Sequence, residues 1–271
     1  MYQYCLRRNI KKAEALQNEQ ILKNLISFIS ILKNNPKVEA ISLEAKSVES
    51  LVIKNKFRSI KLNFIYAYRE ILNFLESNYT DIDDESIVLD VCCGLGFFTK
   101  QLGEIYPRVK GIDLNESFLE FAVENSINNN NHKIEYSIHD INNSLPSYKY
   151  YLICSIFGIN AAVNPINVVT DFIKNNPRYI ILFDGNSNSV YRYFNKIFSL
   201  KLSIGVDFNS IITLLEYNNF KIIVEKNVHT LPSSLIDQKG IGSFFEELSI
   251  FLRKFNIFSA SKLIIARNMS M

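Results

Sequence analysis

A chain of 271 residues, 48% hydrophobic, is long enough for one α/β domain with an accessory part. Its 30 basic and 27 acidic residues leave a net charge of +3, too even a balance for a nucleic-acid footprint. No apolar run reaches the roughly 18 residues of a membrane span; the longest candidate, Tyr151 to Val169, is broken by Asn160, Asn164 and Pro165. Cys5, Cys92, Cys93 and Cys154 show neither a disulfide framework nor zinc-ligand spacing. Together with the polar, basic opening Met1 to Ala13, this predicts a reducing, cytoplasmic setting and no membrane attachment.

The first 80 residues read as helical. Ala13 to Leu32 places Leu16, Ile21, Leu22, Leu25, Ile26, Ile29 and Leu32 on one face, and Asn34-Asn35-Pro36 ends it. Ala40 to Val52 is a weaker helix, Ser59 to Asn78 a clearer one. Up to Ile60, eleven basic residues face five acidic ones. A solvated helical face explains this excess, and a patch for an anionic substrate or carrier is the alternative. The expected organisation is a helical cap or lid over residues 1–80 and a second domain over 81–271, joined by the acidic stretch Asp81 to Glu85.

From Ser86 the pattern changes. Ile87 to Val91 is a strand, Cys92-Cys93-Gly94-Leu95-Gly96 a small-residue turn, and Phe97 to Ile105 a helix. Val109 to Ile112 forms a second strand that ends in Asp113. Such a turn lets backbone approach a ligand closely, and the helix start offers free N–H groups. An acid closing the second strand suits the two hydroxyls of a ribose. A helix over Ser117 to Asn128 and an asparagine loop follow. Further strands are predicted at Lys133–His139, Tyr150–Ile156, Arg178–Phe183, Phe220–Lys226 and Ser261–Arg267. Helices are predicted at Asn167–Lys174, Phe208–Asn218 and Gly242–Phe255. Alternation of this kind predicts an α/β fold with a doubly wound, Rossmann-like sheet of about seven strands.

The dinucleotide fingerprint G-x-G-x-x-G is matched at Gly94 and Gly96, but its third glycine is Thr99 here. The first strand also carries an acid, Asp90, which suits an ammonium group better than a pyrophosphate. The stretches VLDVCCGLGFFT and GIDLNESFLEFAVEN resemble the first two motifs of the class I S-adenosylmethionine-dependent methyltransferases, with Cys92 where the family usually has glycine. The resemblance covers about Ser86 to Asn268. It implies an antiparallel last strand and S-adenosylmethionine as cofactor, with S-adenosylhomocysteine as product. It further implies that Cys92, Gly94 and Gly96 pass beside the methionine part, and that Asp90 binds the ammonium directly or through water. By the same resemblance Asp113 takes the ribose hydroxyls, Leu114 and Ile141 pack on the adenine, Asp140 accepts from the adenine amino group, and Ser155 lies at the site. For Asp140 a helix N-cap is a competing reading.

Methyl transfer from a sulfonium mainly requires alignment in a dry pocket, so no fixed triad is expected. A base is needed only where the acceptor must lose a proton, and His229 is the one candidate. Strand four lacks the Asn/Asp-Pro-Pro-Tyr/Phe motif of enzymes that methylate adenine or glutamine. Ile156, Phe157 and Ile159 suit a partly apolar acceptor, and Tyr191, Tyr193 and Phe194 could wall it. The expected function is methyl transfer to O, N or C of a small molecule, in a monomer or an oligomer. The alternatives are an RNA or protein methyltransferase docking its substrate on the basic N-terminal helices, and a cofactor-binding partner subunit that no longer transfers methyl. No metal site is expected.

Overall fold

The structure, a computed structural model, describes residues 66–78, 82–83, 85–127, 134–189, 205–228, 242–252 and 260–271. The chain divides into two compact units, residues 1–74 with 231–248 and residues 75–230 with 249–271. The predicted helices Ala13–Leu32 and Ala40–Val52 lie outside the described residues. Of the third, α1 (Tyr66–Ser77) is described; it buries Ala67, Tyr68, Ile71 and Leu75 at helical spacing.

In the second unit, the elements follow the predicted order. They are β1 (Ile87–Val91), α2 (Phe97–Ile105), β2 (Val109–Asp113), α3 (Glu116–Ile127), β3 (Ile134–Ile138), β4 (Tyr150–Ile156), α4 (Pro165–Lys174), β5 (Tyr179–Gly185), α5 (Phe208–Tyr217), β6 (Phe220–Val228), α6 (Gly242–Leu252, which crosses the division) and β7 (Ser261–Asn268). Most boundaries fall within two residues of expectation. Helix α4 starts two residues earlier than predicted, because Pro165 occupies its first turn and the Asn164 side chain accepts from the N–H groups of Ile166 and Asn167. Asp207 caps α5 in the same way. Strand β5 continues through Asp184 and Gly185, and α6 stops at Leu252 within the described residues.

One seven-stranded sheet runs β3-β2-β1-β4-β5-β7-β6. Strands β1 to β5 pair in parallel, and β7 pairs antiparallel with both β5 and β6. The reversed strand is therefore inserted between β5 and β6 and is not the edge. Strand β6 is the edge, and its exposed Lys221 and Glu225 and the register shift near Ile223 discourage pairing with another chain. Central strands β1, β4 and β5 are buried on both faces, which is why they read as continuous apolar runs. Leu89, Val91, Ile153, Leu182 and Ile264 meet Val169 and Phe172 of α4 and Phe208, Ile211 and Leu215 of α5 in one core.

Strand order reverses between β1 and β4, so their carboxyl ends open a crevice at the switch point. Among the described residues no helix is long and apolar enough to cross a membrane.

Candidate functional site

The turn after β1 is built from left-handed backbone. Cys92, Gly94 and Gly96 have φ of 57°, 54° and 75°. For Cys92 this explains why the resembled family prefers glycine there: a residue with a Cβ is strained in that conformation. The N–H of Cys93 donates to Ile112 O at 3.0 Å, stitching the turn to β2. A Cβ on Gly94 would meet no atom of the described residues within 4 Å, so the backbone there is open among them. Gly96 is the left-handed N-cap of α2 and makes no side-chain cap hydrogen bond.

Gly96 also faces inward. A Cβ there would lie 2.6 Å from the Tyr136 hydroxyl and 2.8 Å from the Ala122 Cβ. Gly96→Ala combines this clash with a positive φ, and is expected to cost about 2–3 kcal/mol. A thermal melt checks this; an unshifted midpoint would show that α3 and β3 move apart freely.

Thr99, at the position of the missing third glycine, is fully buried, and its Oγ1 donates to Asp90 Oδ2 at 2.6 Å. The Cys154 thiol faces Asp90 Oδ1 at 3.8 Å. Burial pushes the Asp90 carboxyl up to about 7, against the weaker opposing effect of the Thr99 hydrogen bond. At the end of β2, Asp113 Oδ2 accepts from Gly94 N–H at 2.8 Å, and Oδ1 from Asn115 N–H at 2.9 Å. This carboxylate therefore shapes the glycine turn, and each oxygen has lone-pair capacity beyond that one bond. Leu114, next to it, is 64% exposed.

Asp140 is not a helix cap. A turn follows it, and its Oδ1 accepts from the backbone N–H and the side-chain amide of Asn142 at 2.9 and 2.8 Å, which hold its carboxyl below the usual range. The His139 N–H donates to Asp113 O, so the ends of β2 and β3 are joined. Ile141 is partly buried against the core, as is Cys92. Ser155 is fully buried, and its hydroxyl has no hydrogen-bond partner among the described residues. Burial first, and then the carboxylates of Asp113, Asp90, Asp184 and Asp140, push the Cys92 thiol up to about 12. Cys92 thus stands among four acids from the ends of four different strands.

The structure places Asp90, Cys92, Gly94, Gly96, Asp113, Leu114, Asp140, Ile141 and Ser155 at or just beyond the carboxyl ends of β1 to β4. His229, Tyr191, Tyr193 and Phe194 lie outside the described residues. Three polar residues here lie beyond the predicted site set. Asp184, fully buried in β5, accepts from Asn160 N–H at 3.1 Å, from Gly185 N–H at 2.6 Å and from the Asn160 side-chain amide. Asn142 joins Asp140 to Val163, whose N–H donates to Asn142 Oδ1 at 2.9 Å. Asp184 stands out in the sequence only as an acid at the end of an apolar strand, and Asn142 and Asn160 carry no signal in so asparagine-rich a chain.

Residues 88–173 match the family described as a methyltransferase domain. The fold is shared with an S-adenosylmethionine-dependent methyltransferase from Mesorhizobium loti, at 15% identity over 74% of this chain and 98% of that one, TM-score 0.52. It is also shared with geranyl diphosphate C-methyltransferase from Streptomyces coelicolor A3(2), solved with Mg2+, geranyl diphosphate and S-adenosyl-L-homocysteine. That match has 12% identity over 74% and 78% of the two chains, TM-score 0.53. A third match is the cyclase SpnF, at 14% identity over 73% and 80%, TM-score 0.52. Among curated proteins no sequence matches. Residues 88–173 thus resemble a methyltransferase domain, and the chain shares the fold of these S-adenosylmethionine-dependent methyltransferases.

Proposed function

We propose that the protein binds S-adenosylmethionine at the carboxyl ends of β1 to β4 and transfers its methyl group to a small-molecule acceptor. One observation carries this reading: Asp113 holds the Gly94 N–H at the open point of the turn and keeps lone pairs for two ribose hydroxyls. In this reading the methionine part runs past Cys92, Gly94 and Gly96. Asp90 reaches the ammonium through water, because the residue is 2% exposed and its carboxyl already faces Thr99 and Cys154. Exposed Leu114 and half-buried Ile141 flank the adenine, with Asp140 at its amino group and Ser155 toward the reacting end.

The chemistry asks little covalent work of the protein. The cofactor, when bound, supplies an electrophilic methyl group. The chain's task is to hold it, align the acceptor and exclude water. His229 remains the candidate base for an acceptor that must lose a proton. The exposed Phe157, packed against Phe183 at 4.5 Å between centroids with the rings tilted by 56°, supports a partly apolar acceptor. The near-neutral charge of the chain speaks for a small molecule over RNA, and residues 1–80 are proposed as its cap. The unpaired Cys92, Cys93 and Cys154 accord with a reducing, cytoplasmic setting.

Calorimetric titration with S-adenosylmethionine, S-adenosylhomocysteine and NAD tests this. Micromolar binding of both sulfur nucleosides and none of NAD is expected. Absence of all three would reduce the turn to a structural corner. Incubation with methyl-labelled cofactor and a metabolite extract then reports transfer by mass shift.

A further inference from the structure

We infer that the segment Phe157–Val163 is a fixed strap over the switch point, and that Asp184 and Asn160 are positioning residues for the cofactor through it. The inference rests on the cofactor reading above and adds residues to it.

The strap is pinned along its length. At its start, Phe157 has a left-handed φ of 56° and donates its N–H to Phe183 O at 2.7 Å. A bulky residue keeps such a conformation only where the surroundings enforce it, and these places cluster at functional sites. In the middle, Asn160 gives both its backbone N–H and its side-chain amide to the fully buried Asp184. Hydrogen bonds to a charged, buried acceptor are the strong kind. At the end, Val163 N–H is held by Asn142, which also donates to Asp140.

The underside of the strap meets the cofactor turn directly. A Cβ on Gly158 would collide with the Cβ of Cys92, and would lie 2.6 Å from Ser155 Oγ and 3.1 Å from Val91 O. Cys92, itself left-handed, is therefore wedged from above by backbone that Asp184 fixes. Beside this contact lies the Ser155 hydroxyl, fully buried and without a hydrogen-bond partner among the described residues. An orphan buried hydroxyl at this spot points to a polar group that arrives with a ligand. Loosening the strap frees Cys92 and widens the crevice where the methionine part is read to lie. The acid at the end of β5 thus acts on the cofactor through Asn160 and Gly158 without touching it.

The test compares the full chain with three variants: Asn160→Ala, Asp184→Asn, and the reciprocal exchange Asp184→Asn with Asn160→Asp. Each is titrated calorimetrically with S-adenosylhomocysteine at a temperature where circular dichroism shows it folded. Amide exchange is read by mass spectrometry over 157–163. Asn160→Ala is expected to lose ten-fold or more in affinity and to exchange faster across the strap, with a lower melting midpoint because it strips a donor from the buried Asp184. Asp184→Asn is expected to weaken binding similarly, and the reciprocal exchange to recover part of that loss, since it restores an amide–carboxylate pair. A purely structural role would lower the melting midpoint and leave the affinity of the folded protein alone. Affinity within two-fold of wild type in Asn160→Ala overturns the inference, whether or not Asp184→Asn folds. Failure of the wild-type chain to bind would instead overturn the cofactor reading.

Discussion

Asp113→Ala is expected to weaken S-adenosylmethionine and S-adenosylhomocysteine binding at least about 100-fold while leaving the protein folded. Two hydroxyl hydrogen bonds to a carboxylate contribute about 1.5–3 kcal/mol each, so their joint loss amounts to about 3 kcal/mol or more. The same carboxylate accepts from the Gly94 and Asn115 N–H groups, so the variant also relaxes the turn on which the proposed cofactor site is built. Asp113→Asn separates the two effects. It keeps one oxygen for a backbone N–H but loses the charge, and is expected to fall between wild type and alanine. Equal affinity in all three proteins, measured by calorimetry, would remove the ribose contact. The strap would then be the better place to look for what holds the ligand.

The second large effect concerns pH. The Asp90 carboxyl is pushed up to about 7 by burial, against 3.8 in the absence of structure. Between those values the folded protein keeps a proton that the unfolded chain has released. On this account stability falls as pH rises from about 4 to about 7, by up to roughly 4 kcal/mol at 1.36 kcal/mol per unit. Other carboxylates work in the opposite sense: Asp140 and Asp207 are held below their usual range by hydrogen bonds and lose stabilisation as pH falls. The clean measurement is therefore a difference. Urea unfolding of the free protein at pH 5 and pH 7.5 is compared with that of Asp90→Asn, in which the Asp90 contribution is absent. Wild type should lose stability relative to the variant on going to the higher pH. Parallel curves for the two proteins would mean that Asp90 titrates normally, and that Thr99 and Cys154 do not seal it from water. In the proposed cofactor pose the ammonium near Asp90 favours its ionised form, so binding should release a proton near neutral pH.

The elements and the glycine turn are legible in the sequence because both are local. Ile87 to Val91 and Tyr179 to Phe183 announce themselves as buried strands by continuous apolar runs. Gly94 and Gly96 announce a tight turn because few other residues accept a positive φ. Asp113 is readable because the end of a strand is readable. Tertiary structure decided what depends on residues far apart in the chain. Thr99 looks like a defect in a glycine pattern until it is seen donating to Asp90. Asp140 passes for a helix cap until the following residues form a turn around Asn142. The insertion of β7 between β5 and β6 follows from pairing, not from periodicity, which is the same for either neighbour. Asp184 gains its meaning only when β5 brings it to Asn160, 24 residues away, at the same end of the sheet. Periodicity and turn chemistry are written in adjacent residues; the pairing of buried polar groups is written only in the fold.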